Sequence, residues 1–247
     1  MTVLGIDIGG SGIKGALVNI ETGQMLTERH RIPTPDSRKP EEMAAVVAEI
    51  TQFFNYNGPI GIGFPSVIKN GICTTKGNLH KSWVGVNIRS LFERHTACKV
   101  TVNNDADAAA CAEMAYGAGK GLQGFVMMIT IGTGLGSGAF LNGQLIPNFE
   151  LGQIPYKKYD KIELWASAAA KEKEALSFKK WAKRFNTFLG FVTLICAPDH
   201  IIVGGGTSKD WDKFSQYLTL DCPIKPAEFL NQAGIIGAAV SVNNTHA

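Results

Sequence analysis

The sequence has 247 residues, 45% of them hydrophobic, with 28 glycines and a formal net charge of +3. This composition suits a globular protein with enough apolar residues for one large or two smaller domains. No apolar run approaches the roughly 20 residues of a membrane-spanning helix and no basic leader opens the sequence, so we expect a cytoplasmic protein that binds no membrane. The net charge is too small to indicate nucleic-acid binding.

The first predicted strand, from Val3 to Asp7, leads into the glycine-rich turn Asp7-Ile8-Gly9-Gly10-Ser11-Gly12 and a second strand from Ile13 to Asn19. Glycine has no Cβ, so the backbone of such a turn can approach phosphate oxygens closely, and the Ser11 hydroxyl adds a donor. Walker and Rossmann loops begin a helix instead, and neither motif occurs here. The pattern predicts a phosphate-binding hairpin, although purely structural turns use the same residues.

The rest of the first half alternates between strands and helices. The pattern predicts a turn at Glu21-Thr22-Gly23, a third strand toward Arg31, a helix from Pro40 to Phe54, a strand from Pro59 to Gly63, a loop from Phe64, a helix from Ile88 to His95 and a strand from Lys99 to Val102. Asn104 and Asp105 then open a helix to Tyr116, because their side chains can accept hydrogen bonds from its first N–H groups. The turn from Gly117 to Gly121 indicates where the chain passes to its second half.

The second half repeats the plan. The pattern predicts a strand from Phe125 to Ile131, a second glycine-rich turn from Gly132 to Gly138, a strand from Ser137 to Leu141, a turn at Asn142-Gly143, helices, a strand from His200 to Val203 and a helix from Ala233 to Val242. A repeated strand, glycine turn and strand predicts two similar α/β domains with phosphate held between them. We expect a small domain of residues 1–115 plus a C-terminal helix in 233–247, and a larger domain of residues 116–232.

A basic segment lies between Lys157 and Arg184, where nine basic residues face four acidic ones, while the rest of the chain carries a net charge of −2. Such a positive field attracts a polyanion, although a solvated helix face explains the same pattern. The aromatic residues between Ser177 and Leu189 recur at helical spacing, which predicts that they pack in the core: Phe178, Trp181, Phe185 and Phe188.

Four motifs occur in an order that resembles the ROK sugar kinases of the actin-like ATPase superfamily: Asp7-x-Gly-Gly-Ser, Asn104-Asp105-Ala106-Asp107, Gly132-Thr133-Gly134-x-Gly136 and Glu150-Leu151-Gly152. The resemblance spans essentially the whole chain. Finer segments, such as Asn78-Leu79-His80-Lys81-Ser82-Trp83, are similar to the bacterial polyphosphate glucokinases of that family. The resemblance implies a two-domain actin-like ATPase (ribonuclease H-like) fold with a central cleft, a homodimer, and phosphorylation of the glucose 6-hydroxyl from inorganic polyphosphate.

The resemblance also assigns roles to single residues. Asp105 is the expected general base, since a carboxylate at a helix N-terminus is oriented by backbone donors and can accept the hydroxyl proton; a simple helix cap is the alternative. Asp7 would place Mg²⁺ through water. At strand spacing Lys14 would equally well point to solvent. The expected phosphate-binding residues are Gly9, Gly10, Ser11, Lys14, Gly132, Thr133 and Gly134.

The expected sugar-binding residues carry carboxylates and amides, which bind pairs of neighbouring hydroxyls. The resemblance places them at Asn78, Asn104, Asp105, Glu150 and Gln153; without it, Asn78 and Asn104 would be read as turn residues, and an exposed loop acid is the alternative for Glu150. Family members usually read Glu-x-Gly-His where this chain reads Glu150-Leu151-Gly152-Gln153. Glutamine forms hydrogen bonds but cannot ionise, so the choice between glucose and mannose stays open.

A polyphosphate donor needs repeated cations along a groove and no adenine site. The candidate groove residues are Lys171, Lys173, Lys179, Lys180, Lys183 and Arg184. Gly204-Gly205-Gly206 could border a nucleotide, as in ATP-using relatives, so ATP stays open as a second donor.

Three other functions compete with this one. The main alternative is an ATP-dependent ROK hexokinase that acts on another hexose such as mannose. A non-catalytic sugar-sensing repressor would carry a helix-turn-helix segment ahead of the kinase fold, and we expect none because Asp7 already lies on the first strand. An actin-like assembly ATPase would share the phosphate loops but would not need a sugar, so phosphate release with and without glucose separates the two.

Overall fold

In a computed structural model of the chain, residues 1–243 are described. The chain divides into two compact units, one of Met1–Tyr116 together with the segment from Gln232 onward, the other of Gly117–Asn231. The first unit contains more residues than the second, so the expectation that it is the small domain is wrong.

The strands of the first unit form a mixed sheet and a separate hairpin. They are β1 (Thr2–Ile8), β2 (Ile13–Asn19), β3 (Gln24–Met25), β4 (His30–Ile32), β5 (Ile60–Phe64), β6 (Ile68–Lys69), β7 (Ile72–Cys73) and β8 (Val100–Asn104). The sheet order is β3-β2-β1-β5-β8, with β4 also paired to β2 and the hairpin made of β6 and β7. β1 runs antiparallel to β2 and parallel to β5, so the first glycine-rich turn does join antiparallel strands as predicted.

The segment Met1–Tyr116 contains three α-helices: α1 (Pro40–Phe53), α2 (Ile88–Thr96) and α3 (Asp105–Tyr116). Their sequences explain their ends. Pro40 lies in the first turn of α1, where its missing N–H group costs nothing. The Asn87 side chain caps α2 by accepting a hydrogen bond from Ser90 N at 2.9 Å, and Ala97 ends that helix in the left-handed conformation.

The second unit repeats the arrangement around a five-stranded sheet. Its elements are β9 (Phe125–Ile131), β10 (Leu135–Leu141), β11 (Gln144–Ile146), α4 (Glu163–Ala166), α5 (Ala168–Lys173), α6 (Phe178–Cys196), β12 (His200–Gly204), α7 (Trp211–Phe214) and β13 (Ile224–Pro226). The order is β11-β10-β9-β12-β13, with β9 antiparallel to β10 and parallel to β12. The strand, glycine turn and strand of the first unit therefore have a counterpart here, as the sequence predicted.

The core of the second unit is built on α6. Trp181, Phe185 and Phe188 are fully buried on one face of this helix, which confirms the predicted core packing for these three aromatic residues. The Trp181 indole also donates to the carbonyl of Ala166 at 2.9 Å, and so fixes the end of α4. Phe178 differs, since it packs against this core but keeps part of its ring exposed.

The last helix, α8 (Ala233–Val240), returns to the first unit and packs against β1, β5 and α3. Glycines permit this close approach: a Cβ on Gly61 of β5 would lie 1.8 Å from the Ala238 carbonyl oxygen. A short 3₁₀ turn, Ser241–Asn243, follows, so α8 ends two residues before the predicted end at Val242. Residues 244–247 of the expected C-terminal segment lie outside the described part of the chain. Within residues 1–243, none of the helices has the length and apolar character needed to cross a membrane.

Candidate active site

The first glycine-rich turn joins β1 to β2 and presents exposed backbone. Gly9 N donates to the Gly12 carbonyl at 3.1 Å, which closes the turn, while Gly10 and Ser11 at its tip are exposed. An added Cβ on Gly10 would meet no atom within 4 Å. The tip is therefore open enough for an anion to reach its N–H groups, the arrangement expected of a phosphate-binding loop.

Asp7 and Lys14 face each other beside this turn. They are direct partners across β1 and β2, and Lys14 Nζ lies 3.5 Å from Asp7 Oδ2. Burial raises the pKa of Asp7, and the Lys14 ammonium partly opposes that shift. The carboxyl group also packs on α8, where a Cβ on Gly234 would lie 2.9 Å from Asp7 Cγ. Lys14 thus faces a carboxylate and keeps 26% of its side chain exposed.

The N-terminus of α3 carries Asn104 and Asp105. Asn104 is buried, and its side-chain oxygen accepts from the N–H groups of Ala106 at 2.8 Å and Asp107 at 3.3 Å. Its amide nitrogen donates to the Ser66 carbonyl at 3.2 Å. Asp105 is half-buried, and its Oδ1 accepts from the Ala106 N–H at 2.8 Å. Asn104 therefore caps the helix, and Asp105 is oriented by the N–H group of Ala106, the second residue of α3.

Asn78, another predicted sugar ligand, lies in the same unit. Its side chain is exposed, and its backbone carbonyl oxygen accepts a hydrogen bond from Arg38 Nη1 at 2.8 Å. The polar atoms of the side chain are thus left on the protein surface, where a sugar hydroxyl could reach them.

The second glycine-rich turn joins β9 to β10. Gly132 N donates to the Gly134 carbonyl at 3.0 Å, and the Gly132 carbonyl accepts from Ala168 N at 3.1 Å. Thr133 is exposed at the tip. The turn is therefore closed by one internal hydrogen bond, as in the first unit, and tied to the start of α5.

Glu150 is held on β10 by its neighbours. The Ser137 hydroxyl donates to the Phe149 carbonyl at 2.9 Å and accepts from Leu151 N at 3.0 Å. Gly152 lies so close to this strand that a Cβ would stand 2.1 Å from the Leu135 carbonyl oxygen. These contacts fix the backbone on both sides of Glu150, whose side chain stays half-buried.

Glu163, the first residue of α4, joins this cluster although the sequence pattern did not single it out. Its Oε1 accepts from Gln153 Nε2 at 3.0 Å, and its Oε2 accepts from Leu135 N at 3.2 Å. Lys161 Nζ lies 3.7 Å from Oε1. Burial and then the nearby Glu163 charge raise the pKa of Glu150, whereas Lys161 lowers it. In the sequence, Glu163 is one of four acidic residues of the basic segment and nothing distinguishes it from the others. Its place in this cluster becomes visible only in the fold, where the chain brings it next to Gln153.

A cavity of about 360 Å³ opens beside the second glycine-rich turn. Gly132 and Thr133 lie on one side and Gly206 and Thr207, which follow β12, on another. The remaining lining residues include two lysines, an aromatic ring and two acids: Lys171, Lys209, Phe178, Glu172 and Asp210. Lys171 Nζ lies 4.2 Å from the centroid of the Phe178 ring, so the ammonium group makes a cation–π contact with the ring.

The six predicted groove residues have different surroundings and do not together line the cavity. Of these six, Lys171 alone lines the cavity. Lys179 Nζ lies 6.0 Å from the Tyr217 ring centroid, and both nitrogens of the Arg184 fork bind Glu174, at 3.0 and 2.5 Å. The other three are exposed: Lys173, Lys180 and Lys183. The second lysine that lines the cavity is Lys209. The sequence pattern missed Lys209 because this residue follows β12 and lies outside the basic segment.

Comparison with known proteins settles the family. The sequence model of the ROK family matches residues 3–148, more than half of the chain. The chain belongs to the ROK family. It is 40% identical over 245 residues to the polyphosphate glucokinase of Mycobacterium tuberculosis, a match that covers 98% of this chain and 92% of that protein. The polyphosphate glucokinase of Mycobacterium leprae is 38% identical, with 96% of this chain and 73% of that protein covered.

A solved ROK relative has the same fold. The crystal structure of inorganic polyphosphate/ATP-glucomannokinase from Arthrobacter sp. strain KM superposes with a TM-score of 0.93 at 40% identity, covering 99% of each chain. These matches confirm the predicted family, its resemblance to polyphosphate glucokinases and the actin-like ATPase fold.

Proposed function

We propose that this ROK protein transfers the terminal phosphoryl group of inorganic polyphosphate to the 6-hydroxyl of glucose. The observation that carries the proposal is the 40% identity to polyphosphate glucokinase, which extends over 98% of the chain. In the reaction a bond forms between the sugar O6 and the terminal phosphorus, and the bridging P–O bond to the next phosphate breaks. The products are glucose 6-phosphate and a polyphosphate shortened by one unit.

Asp105 is the proposed general base, and it would accept the 6-hydroxyl proton as the oxygen attacks. Its carboxylate is half-buried at the N-terminus of α3, with one oxygen held by the Ala106 N–H. We assign to Asn104 mainly a structural role at the start of α3, because its buried side chain already forms hydrogen bonds with Ala106, Asp107 and Ser66. A contact between Asn104 and the sugar stays a prediction.

The variant Asp105→Asn tests the base. Loss of a general base typically slows turnover by about 10²–10⁴-fold, while asparagine keeps the size and the hydrogen bond to Ala106. Asp36→Asn, an exposed carboxylate in the same unit, is the matched control and should keep full activity. A purified, folded Asp105→Asn protein with more than about a tenth of wild-type kcat would exclude this role.

The two glycine-rich turns are the proposed phosphate-binding elements. Gly9, Gly10 and Ser11 in one unit and Gly132, Thr133 and Gly134 in the other supply short, open turns, and we assign Lys14 to the first of these sets. Their N–H groups and hydroxyls would hold the phosphoryl group in line with the sugar oxygen and stabilise the charge that develops on it.

Mg²⁺ is the proposed cofactor, held by Asp7 through water. Within the described residues, no three His, Cys, Asp or Glu side chains come together as a metal site. A single partly exposed carboxylate fits Mg²⁺, which keeps several waters and binds largely to substrate phosphates. When bound, the ion would neutralise phosphate charge. EDTA should therefore stop glucose phosphorylation and added Mg²⁺ restore it; full activity in EDTA-treated, metal-free protein would refute this assignment.

Sugar recognition is assigned to Asn78 and Asp105 in the first unit and to Glu150 and Gln153 in the second. The contact between Gln153 and Glu163 supports adding Glu163 to the set, because it places a second carboxylate beside Glu150. Such groups bind neighbouring hydroxyls in pairs, and they reject a sugar that leaves them unpaired in a buried site.

The cavity of the second unit favours polyphosphate as donor. Lys171 and Lys209 place two cations beside the Gly132–Gly134 turn. The Lys171 ammonium lies over the Phe178 ring, so that face is not free to stack on an adenine base. Gly206 and Thr207 border the same cavity, and the Arthrobacter relative is named for both donors, so ATP is proposed as a second, poorer donor.

The serious alternative is an ATP-dependent hexokinase that prefers mannose. One observation favours it: the Arthrobacter relative is named a glucomannokinase. The family resemblance adds that Gln153 stands at a position where a histidine is expected. Titrating polyphosphate and ATP against glucose and mannose in one coupled assay decides between the two. We expect the highest kcat/KM for polyphosphate with glucose, and a higher value for ATP with mannose would replace our proposal. Gln153→His tests whether this residue sets the sugar preference.

The proposed assembly is a homodimer, as the family resemblance implies. Light scattering after size-exclusion chromatography should give twice the chain mass of 26.5 kDa. A single-chain mass at assay concentrations would remove the dimer from the proposal without affecting the chemistry.

A further inference from the structure

The carbonyl side of the first glycine-rich turn is tied down by one neighbouring segment. Three consecutive carbonyl oxygens accept side-chain hydrogen bonds: Gly9 from Thr34 Oγ1 at 2.6 Å, Gly10 from Arg38 Nη2 at 3.2 Å, and Ser11 from Arg31 Nη2 at 2.5 Å. All three donors lie between residues 31 and 38. Within the described chain, no acceptor binds the N–H groups of Gly10 and Ser11, so these donors stay available to an anion.

Arg38 differs from the other two donors because its guanidinium makes two contacts. Nη1 donates to the Asn78 carbonyl at 2.8 Å, while Nη2 donates to the Gly10 carbonyl. The planar fork of arginine can hold two acceptors at once, which a single ammonium cannot do in the same geometry. One side chain therefore connects the segment of a proposed sugar ligand to the tip of a proposed phosphate loop.

The backbone of Arg38 is anchored to the core, which makes this bridge rigid. Trp83 is fully buried against Phe64, with ring centroids 4.7 Å apart, and its indole donates to the Arg38 carbonyl at 2.8 Å. Arg38 N in turn donates to the Pro35 carbonyl at 2.9 Å, closing a turn. Both anchors use backbone atoms of Arg38, so they survive a change of its side chain.

We propose that Arg38 is a positioning residue that couples hexose binding to donor binding. A sugar that orders the Asn78 segment would hold Arg38 and, through it, the Gly10 carbonyl, leaving the N–H groups of the turn aimed at the donor phosphate. The same bridge works in both directions, since coupling between two ligands is reciprocal. This inference rests on the proposed function, with Asn78 at the sugar and the first turn at the phosphate.

Calorimetry tests the coupling with tripolyphosphate as the donor probe in the presence of Mg²⁺. Its Kd is measured with and without 6-deoxyglucose, which lacks the accepting hydroxyl and so permits no transfer. In the wild-type protein the sugar analogue should tighten tripolyphosphate binding about tenfold, within the usual range of such couplings. In Arg38→Met the ratio of the two Kd values should fall to about one. Arg38→Lys should also lose most of the coupling, because its single nitrogen does not match the positions of the two guanidinium nitrogens that hold the two carbonyls.

Two further arginine variants separate coupling from simple loss of charge. Arg31→Met should weaken tripolyphosphate binding equally with and without the sugar, leaving the ratio unchanged, because Arg31 binds the turn and not the sugar segment. Arg94→Met removes an exposed guanidinium on α2 and should change neither Kd. Arg38→Lys keeps the test valid if Arg38→Met does not fold.

The proposal is overturned by a folded Arg38 variant that keeps the wild-type ratio, or by a wild-type ratio of one. Failure of the proposed function looks different, since the wild-type protein would then make no glucose 6-phosphate from polyphosphate. If the wild-type protein makes glucose 6-phosphate but the sugar analogue does not change the Kd of tripolyphosphate, the role of Arg38 is refuted and the proposed function is retained.

Discussion

Two carboxyl groups of the second unit show how strongly the neighbouring charges decide what a residue can do. Arg184 holds the pKa of Glu174 below its usual range through a two-nitrogen fork, so the positive charge of Arg184 is largely neutralised within the protein. Glu150 is in the opposite position, because burial and the Glu163 charge raise its pKa. Arg184 is thus a weak ligand for the phosphate donor although it lies in the basic segment. Glu150, which has an acidic neighbour, is a strong candidate for binding sugar hydroxyls.

The environment of Glu150 yields a pair of variants with opposite effects. Glu163→Gln removes the repelling charge, so the pKa of Glu150 should fall and the group should stay ionised to lower pH. Lys161→Met removes the attracting charge, so the pKa should rise and Glu150 should take up its proton at higher pH. A ¹³C NMR titration of glutamate-labelled protein measures both, with Glu150→Gln to assign the signal. Shifts of the same sign in the two variants would show that neither neighbour acts through its charge.

Activity should follow these shifts where ionised Glu150 binds the sugar. In the wild-type protein, the KM for glucose should rise as pH falls through the pKa of Glu150. In Lys161→Met this rise should begin at higher pH than in the wild-type protein. A KM for glucose that is flat across the titration of Glu150 would remove that residue from the sugar site.

At the scale of elements, the sequence was informative where local chemistry decides the structure. β2 and β9 have the predicted bounds, and α3 begins at Asp105 because Asn104 caps it. The hairpin of β6 and β7 was missed although its Asn70-Gly71 turn, with φ of 52° and 75°, is a strong hairpin signal. β13 carries no such signal: three residues ending in Pro226 become a strand only because β12 offers its edge.

In the cavity beside the second glycine-rich turn, too, some residues could be predicted from local sequence and others could not. Lys171 was named from the basic segment, but its partners Lys209 and Phe178 meet it through packing of α5, α6 and the turn after β12. Spacing along one helix could not reveal a set assembled from three separate segments. Glu163 was missed for the same reason.

Removal of both cavity lysines should affect the two donors unequally. In the double variant Lys171→Met/Lys209→Met, the KM for long-chain polyphosphate should rise about tenfold, because a polyanion loses two cationic contacts, and kcat should change little. The KM for ATP should rise less. Lys120→Met/Lys225→Met removes the same charge from exposed positions of the same unit and serves as the control. Equal effects of the two double variants would mean that only net charge matters.

At the scale of the whole molecule, the two units share a plan but build their turns with different contacts. The first turn is tied by side chains of the 31–38 segment, the second by the Ala168 N–H and the Glu163 carboxylate. The repeat of strand, turn and strand could be predicted from glycines and apolar runs alone. The ties could not, because they depend on residues that fold back from elsewhere in the chain.

The return of α8 to the first unit predicts where a distant substitution acts. A Cβ on Gly237 would lie 1.6 Å from the Ala108 carbonyl oxygen of α3, so Gly237→Ala should push the two helices apart and cost about 2–3 kcal/mol of unfolding free energy. Gly190→Ala on α6 is the matched control: apart from the backbone of its own helix, no atom lies within 4 Å of the added Cβ, and the helix should gain about 0.5–1 kcal/mol.

Hydrogen exchange locates the effect of Gly237→Ala. Protection should fall in β1, β5 and α3, which pack on α8, and stay at wild-type level in β9, β12 and α6, although residue 237 lies far closer in sequence to the latter group. Because Ile235 and Ile236 are fully buried beside Gly237, loosening the helix exposes apolar surface of the first unit alone. Protection lost equally in both units would show that they unfold together, and a stabilised Gly237→Ala would show that α8 does not pack as described.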